Sequence, residues 1–111
     1  MAYDEGLAER VREALQHNLE TACVEKRMFG GLAFMYKGHM SVGIIGDRLM
    51  VRVGPEGYEQ ALNHPHAAPM DFTGKPLKGF IYVEAAGIAE DDDLLRWIGQ
   101  GVEFADSLPP R

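Results

Sequence analysis

The chain has 111 residues, of which 46% are hydrophobic and 25% charged, a composition typical of one soluble globular domain rather than a disordered segment. No apolar run approaches the ~20 residues that span a bilayer, and the N-terminus lacks the basic start and apolar core of a signal peptide. A single cysteine excludes an intramolecular disulfide, so we expect a cytoplasmic protein without membrane contact.

The net charge of −6 is unevenly distributed. Residues 1–25 carry −4, residues 26–78 carry +3 and residues 79–111 carry −5. Acidic side chains on solvated helix faces and at helix N-termini explain the two acidic ends. The alternative is a surface with two poles, on which one face repels nucleic acid and another attracts an acidic partner.

The first predicted element is an amphipathic helix over residues 4–21. Apolar residues recur at spacings of three and four from Leu7 to Ala22, with charged residues between them. Asp4 is placed to cap this helix, because its carboxylate can accept a hydrogen bond from a first-turn amide.

The hydrophobic period then changes to two, which predicts three strands at residues 28–36, 40–45 and 48–53. Lys37-Gly38 and Gly46-Asp47 separate these strands as two-residue hairpin turns. The turns predict that the three strands are antiparallel neighbours.

Two consecutive glycines stand inside the first of these strands. Gly30 and Gly31 add backbone entropy to the unfolded chain and no side chain to pack, so a plain strand does not favour them. They indicate a bulge, a sharp bend or a close approach of another segment. We expect Gly30 or Gly31 to occupy a bulge or a positive-φ conformation that lets the strand bend, and a valine at that glycine to cost about 1–3 kcal/mol.

A short helix is predicted to begin at Gly54-Pro55 and to end near Leu62, followed by a loop over 63–69. A second hairpin follows, with strands 70–73 and 79–83 joined through 74–78. The last predicted element is a helix over 90–106. The predicted fold is α+β and two-layered, in the order α-β-β-β-α-β-β-α, with a mainly antiparallel five-stranded sheet. A single domain covers residues 1–111.

Sequence motifs for cofactors and metals are weak. Thr73-Gly74-Lys75 lacks the first glycine and the following hydroxyl of a phosphate-binding loop. His64 and His66 present two imidazoles with Asp71 nearby in sequence, whereas structural zinc needs four ligands. We therefore expect no cofactor and no metal site.

The sequence also lacks a pattern of catalytic residues. Cys23 follows the apolar stripe of the first helix, which favours a small buried side chain over an activated nucleophile. No catalytic residue is assigned, and we expect that the protein is not an enzyme.

Four segments, taken in order, resemble one protein family: Lys26-Arg27-Met28-Phe29-Gly30-Gly31, Gly46 to Val53, Met70 to Gly79 and Tyr82-Val83-Glu84. They are similar to the TfoX N-terminal domain family, and the resemblance covers essentially the whole chain. It implies an α-β3-α-β2-α fold, the same order that the periodicity predicts.

The founding members of this family regulate natural competence for DNA uptake in proteobacteria, acting with a cyclic-AMP-dependent transcription activator. They carry a second, C-terminal helical domain, and we expect the present chain to be a stand-alone single-domain member. The resemblance implies a competence-related regulatory role and a protein partner, for which the transcription machinery is one candidate.

The candidate partner-binding residues are the cations of the central segment and their neighbours: Lys26, Arg27, Met28, Phe29, Gly30, Gly31, Arg48, Arg52, Lys75 and Lys78. Antiparallel strands can gather some of these cations on one face for a protein partner. Ordinary solvent-facing charge is the simpler explanation. The alternative function is nucleic-acid binding or an accessory role in RNA or DNA modification, although a pI of about 5.1 disfavours non-specific DNA binding.

The apolar first strand also bears on assembly. Residues 28–36 place large apolar side chains on both faces of the predicted strand. We expect a symmetric homodimer that uses the exposed face of the sheet or an edge strand. The alternative is that the helices cover these side chains.

Overall fold

The computed structural model describes residues 3–28, 30–71 and 77–109. The strands are β1 Val24–Met28, β2 Gly31–Tyr36, β3 His39–Ile45, β4 Arg48–Arg52, β5 Ala67–Pro69 and β6 Phe80–Val83. The α-helices are α1 Glu5–Glu13, α2 Gly54–Leu62 and α3 Asp91–Asp106, with a π-helical turn at Ala14–Asn18 and a 3-10 turn at Ala85–Gly87. The α+β class and the antiparallel sheet are confirmed.

The sheet has six strands in the order β1-β2-β3-β4-β6-β5, so the prediction of five strands is wrong by one. Every strand pairing in it is antiparallel. Both predicted two-residue turns are confirmed, because Tyr36 pairs with His39 and Ile45 pairs with Arg48. Strands β1 and β5 form the two edges.

The predicted strand 28–36 begins at the end of one strand, crosses a turn and continues as a second strand: β1 ends at Met28 and β2 begins at Gly31. β1 and β2 pair as a hairpin that closes at Met28 and Gly31. Gly30 lies in the turn with φ +75°, which confirms the expected positive φ angle. Gly31 is a close approach instead, since a Cβ atom there would overlap the carbonyl oxygen of Ile44 on β3. The sharp bend and the close approach therefore occur at adjacent glycines.

The first strand of the second predicted hairpin is also displaced. The prediction placed it at 70–73, but β5 occupies Ala67–Pro69, inside the predicted loop, and pairs with β6. Residues 72–76 lie outside the described residues. Two prolines near β5 indicated a loop, but an edge strand tolerates proline because one row of its amides needs no partner in the sheet.

All three helices pack on one face of the sheet. Asp4 caps α1 as predicted, accepting a hydrogen bond from the backbone N–H of Leu7 at 3.1 Å. The α-helical part ends at Glu13, and the π-helical turn continues the helix to Asn18. The main core joins side chains from these helices to alternate strand residues: Leu7, Val11, Leu32, Phe34, Val42, Ile44, Leu49, Val51, Ile81, Val83, Trp97 and Ile98.

The opposite face of the sheet carries a second apolar cluster. Ala33, Met40, Met50, Met70 and Tyr82 are buried there. The expectation of one open sheet face is therefore wrong at its centre, because side chains such as Met70 pack on the strands from outside the sheet. Phe34, in contrast, points to the helices and is buried by them, as the alternative explanation proposed.

Candidate protein-interaction surface

Methionines concentrate on the face of the sheet that bears no helix. The five methionines among the described residues all belong to its apolar cluster, and we call this surface the methionine face: Met28, Met35, Met40, Met50 and Met70. Cross-strand register explains the grouping, since paired residues of an antiparallel sheet project to the same side. Met35 pairs with Met40, for example, and Met50 pairs with Gly43.

The flexible methionine side chains fill irregular space on this face. Met50 lies over Gly43, where an added Cβ atom would overlap the Met50 methyl group. Met40, Met50 and Met70 are buried, whereas Met28 and Met35 remain partly exposed beside them. The centre of the face is therefore a packed second core, and its rim next to β1 offers adaptable apolar surface.

Two arginines of β4 stack on aromatic rings. The Arg48 guanidinium carbon lies 4.0 Å from the ring centre of Tyr82. The Arg52 guanidinium carbon lies 5.3 Å from the ring centre of Phe80 and 5.4 Å from that of Phe104. Such contacts contribute about 0.5–1 kcal/mol each at exposed sites. The two arginines therefore hold the structure together while their half-exposed ends border the methionine face.

Strand β1 is the exposed edge next to that rim. Four of its five residues are exposed, and Val24 is 71% exposed, the one large hydrophobic residue so exposed among those described. The register places Val24, Lys26 and Met28 on the methionine face. Glu25 and Arg27 alternate with them and lie on the helix side.

Glu25 is held from the helix side by Arg12. The Arg12 guanidinium donates two hydrogen bonds to the Glu25 carboxylate, from Nε at 2.6 Å and from Nη2 at 2.8 Å. These bonds lower the pKa of Glu25, and burial opposes them only in part. Arg27 has no hydrogen bond or ion pair with any other described residue. One edge strand thus presents a fixed carboxylate and, two residues away, a guanidinium that bonds to none of the side chains that the structure describes.

The ten candidate residues divide by position. Register places Lys26, Met28, Gly31, Arg48 and Arg52 on the methionine face, but only the first three are neighbours on β1 and β2, whereas the two arginines lie on β4. Arg27 lies on the other side of β1, Gly30 in the hairpin turn, and Lys78 is exposed in the turn before β6. Phe29 and Lys75 lie outside the described residues.

Cys23 is half-buried rather than fully buried and packs against the main core. Burial raises the pKa of its thiol, and a hydrogen bond with Ser41 opposes the rise only in part. The thiolate is therefore scarce at neutral pH, which disfavours nucleophilic chemistry at this position.

A pair of histidines and a cleft between two helices are the other candidate sites among the described residues. The His64 ring packs edge-on against Trp97, with 5.2 Å between the ring centres, and no group of three metal-binding side chains occurs among the described residues.

A cleft of about 590 Å³ between α2 and α3 is bordered by Glu56 and Glu103. No helix within residues 3–28, 30–71 and 77–109 is long and apolar enough to cross a membrane.

Sequence reasoning missed the exposed edge and most of the methionine face. The Lys37-Gly38 turn already pairs Met35 with Met40, so part of the methionine grouping could have been found from the hairpin register. β1 leaves no alternating burial signal, because four of its five side chains are exposed.

Comparison with known proteins identifies one family. The family described as the TfoX N-terminal domain matches residues 13–105 of the 111-residue chain. No curated protein and no solved structure matches the chain. The matched segment includes all six strands and α2, and it reaches the last turn of α3. The chain therefore belongs to the TfoX N-terminal domain family.

Proposed function

We propose that this chain is a non-enzymatic regulatory module that binds a protein partner through strand β1 and the adjoining rim of the methionine face. One observation carries the proposal: an exposed edge strand and partly exposed methionines lie side by side on one surface. Family membership supports a regulatory role of the competence-related kind, and the module acts in the cytoplasm, with the transcription machinery as one candidate partner.

The chemistry of the rim favours a protein over a small molecule. Val24, Met28 and Met35 offer apolar contact area that can adapt to a partner's side chains. The edge strand adds backbone donors and acceptors, which bind an added strand with little regard to its sequence. Together these features support recognition by strand addition, with specificity supplied by the methionines.

The charges on the methionine face favour one class of partner: Lys26 lies at the β1 rim, and Arg48 and Arg52 lie farther away on β4. Within the strands, the charged residues that register places on the methionine face are all cations: Lys26, Arg48 and Arg52. A partner segment with acidic side chains complements them. Nucleic acid fits less well, because Arg48 and Arg52 already stack on aromatic rings and the net charge of the chain is −6.

Affinity capture with a matched pair of variants tests this proposal. Met35→Gln removes apolar surface from the rim, and Leu95→Gln makes a similar change at a partly buried position on the helix side. After nuclease treatment, the proposal predicts proteins retained by the wild type and by Leu95→Gln but lost from Met35→Gln. Equal retention by all three proteins contradicts it.

A mobility-shift assay at low salt addresses the alternative function. The proposal predicts no retained duplex DNA or single-stranded RNA at micromolar protein. Tight binding that weakens steeply with salt would replace the protein-binding proposal with a nucleic-acid one.

A further inference from the structure

We infer that one partner of strand β1 is a second copy of this chain, joined to it by antiparallel pairing of β1 with β1 about a two-fold axis at Lys26. This inference rests on the proposed function, since it names an occupant of the same edge.

The two edges of the sheet differ in how well they are protected against pairing. The β5 edge is three residues long and ends in Pro69, which has no N–H to donate. The β1 edge is five residues long, and four of those residues are exposed. Short strands and proline are common protections of sheet edges, and β1 has neither. It is therefore the edge suited to accept another strand.

The register of the β1–β2 hairpin determines which backbone groups of β1 face away from the sheet. Met28 and Gly31 close a hairpin with two residues between them, so they exchange both of their backbone hydrogen bonds. Hydrogen-bonded and non-hydrogen-bonded pairs alternate along an antiparallel ladder. Lys26 is consequently bonded to β2, whereas the N–H and C=O groups of Glu25 and Arg27 point away from the sheet.

One register of a β1–β1 pair uses these outward groups and also matches opposite charges. Antiparallel pairing centred on Lys26 sets Glu25 opposite Arg27 of the second copy, and Arg27 opposite its Glu25. Both pairs are then hydrogen-bonded through the outward groups, and both join opposite charges. Registers shifted by two residues either way set Glu25 against Glu25 or Arg27 against Arg27. The charge pattern therefore selects one register.

The apolar residues agree with that register. Val24 falls opposite Met28 of the second copy on the methionine face, and this happens twice by symmetry. The most exposed hydrophobic side chain in the described structure is thereby covered. The two methionine faces also join into one continuous surface across the axis.

Lys26 limits the affinity of this assembly. At the axis Lys26 meets Lys26 of the second copy in a non-hydrogen-bonded pair, where like charges repel. A lysine on an edge strand is also a known protection against pairing. The predicted dimer is therefore weak and reversible, and removing this charge should strengthen it.

The test is the dissociation constant of self-association for the whole chain. Sedimentation equilibrium from ~10 µM to ~1 mM covers the affinities expected of a small interface. We expect the mass to rise from 12.3 kDa toward twice that value. Arg27→Glu should raise the dissociation constant at least ~10-fold, because it sets two acidic side chains opposite each other. Lys26→Gln should lower the dissociation constant about 3-fold or more, because it removes the pair of like charges at the axis.

A mixing experiment separates this register from other contacts. Arg27→Glu has two acidic residues at positions 25 and 27, and Glu25→Arg has two basic ones, so each should be monomeric alone. Mixed in equal amounts, the two variants should form a heterodimer. If Glu25→Arg does not fold, because it loses Arg12, the opposite effects of Arg27→Glu and Lys26→Gln still decide the question.

Two results overturn the inference: a wild type that stays at 12.3 kDa throughout the concentration range, or a dimer whose affinity neither variant changes. Neither result bears on the Met35→Gln capture experiment. A monomer that loses its captured proteins on Met35→Gln leaves the proposed function standing, and a dimer with unchanged capture removes only the proposed function.

Discussion

Alanine at Gly31 should destabilise the protein more than alanine at its neighbour Gly30. A Cβ atom at position 31 overlaps the carbonyl oxygen of Ile44 and lies 2.9 Å from Cγ1 of Ile45. Strands β2 and β3 must then separate locally. At position 30 the same atom meets nothing within 4 Å, and only the φ angle of +75° is unfavourable.

The magnitudes follow from these contacts. Two weakened backbone hydrogen bonds at ~1 kcal/mol each and ~1 kcal/mol of overpacking give about 3 kcal/mol for Gly31→Ala. The left-handed conformation alone costs about 1 kcal/mol for Gly30→Ala. With an m-value of ~2 kcal/mol/M, the urea midpoints should fall by about 1.5 M and 0.5 M.

Equilibrium urea unfolding measures both changes in the free energy of unfolding. Gly30→Asn is the control, since asparagine tolerates positive φ and should stay close to the wild type. An alanine at Gly31 that leaves the midpoint unchanged, or a larger loss at Gly30 than at Gly31, would refute the explanation of the double glycine.

Three further predictions concern single side chains. Asp4→Ala removes the cap on the Leu7 amide and should cost about 1 kcal/mol in thermal unfolding, whereas Asp4→Asn should retain most of it. Arg12→Gln should raise the pKa of Glu25 toward its ordinary value in an NMR titration. Because folding lowers that pKa, the ion pair stabilises the protein at pH values above the unfolded-state pKa of Glu25. This stabilisation is lost as the pH falls through the folded-state pKa. An unchanged Glu25 titration would contradict the assigned pairing. Cys23 should react slowly with a thiol reagent at neutral pH and faster in urea, since burial raises its pKa, and equal rates would show that the thiol is already accessible.

Local signals predicted the elements whose boundaries are set by short-range chemistry. Lys37-Gly38 and Gly46-Asp47 define the two hairpins because a two-residue turn fixes both the connection and the register. Helix α3 was predicted almost to the residue, since its apolar stripe is long and acidic residues mark its first turn.

The errors arise where tertiary pairing decides. Strand β1 has no buried face to create a period of two, and β5 exists because it pairs with β6 despite its proline. The candidate site was predicted as the cations of the central segment with their apolar and glycine neighbours, but the side of the sheet that each residue occupies depends on register. Lys26 and Arg27 therefore lie on opposite sides, although they are adjacent in sequence.

Amide hydrogen exchange along β1 tests the central claim that this strand is an open edge that binds a partner. The account predicts that the Glu25 and Arg27 amides exchange rapidly in dilute protein and slowly in concentrated protein. The Lys26 amide, bonded to β2, should be protected in both and is the internal control. Equal protection of Glu25, Lys26 and Arg27 at every concentration would contradict the account.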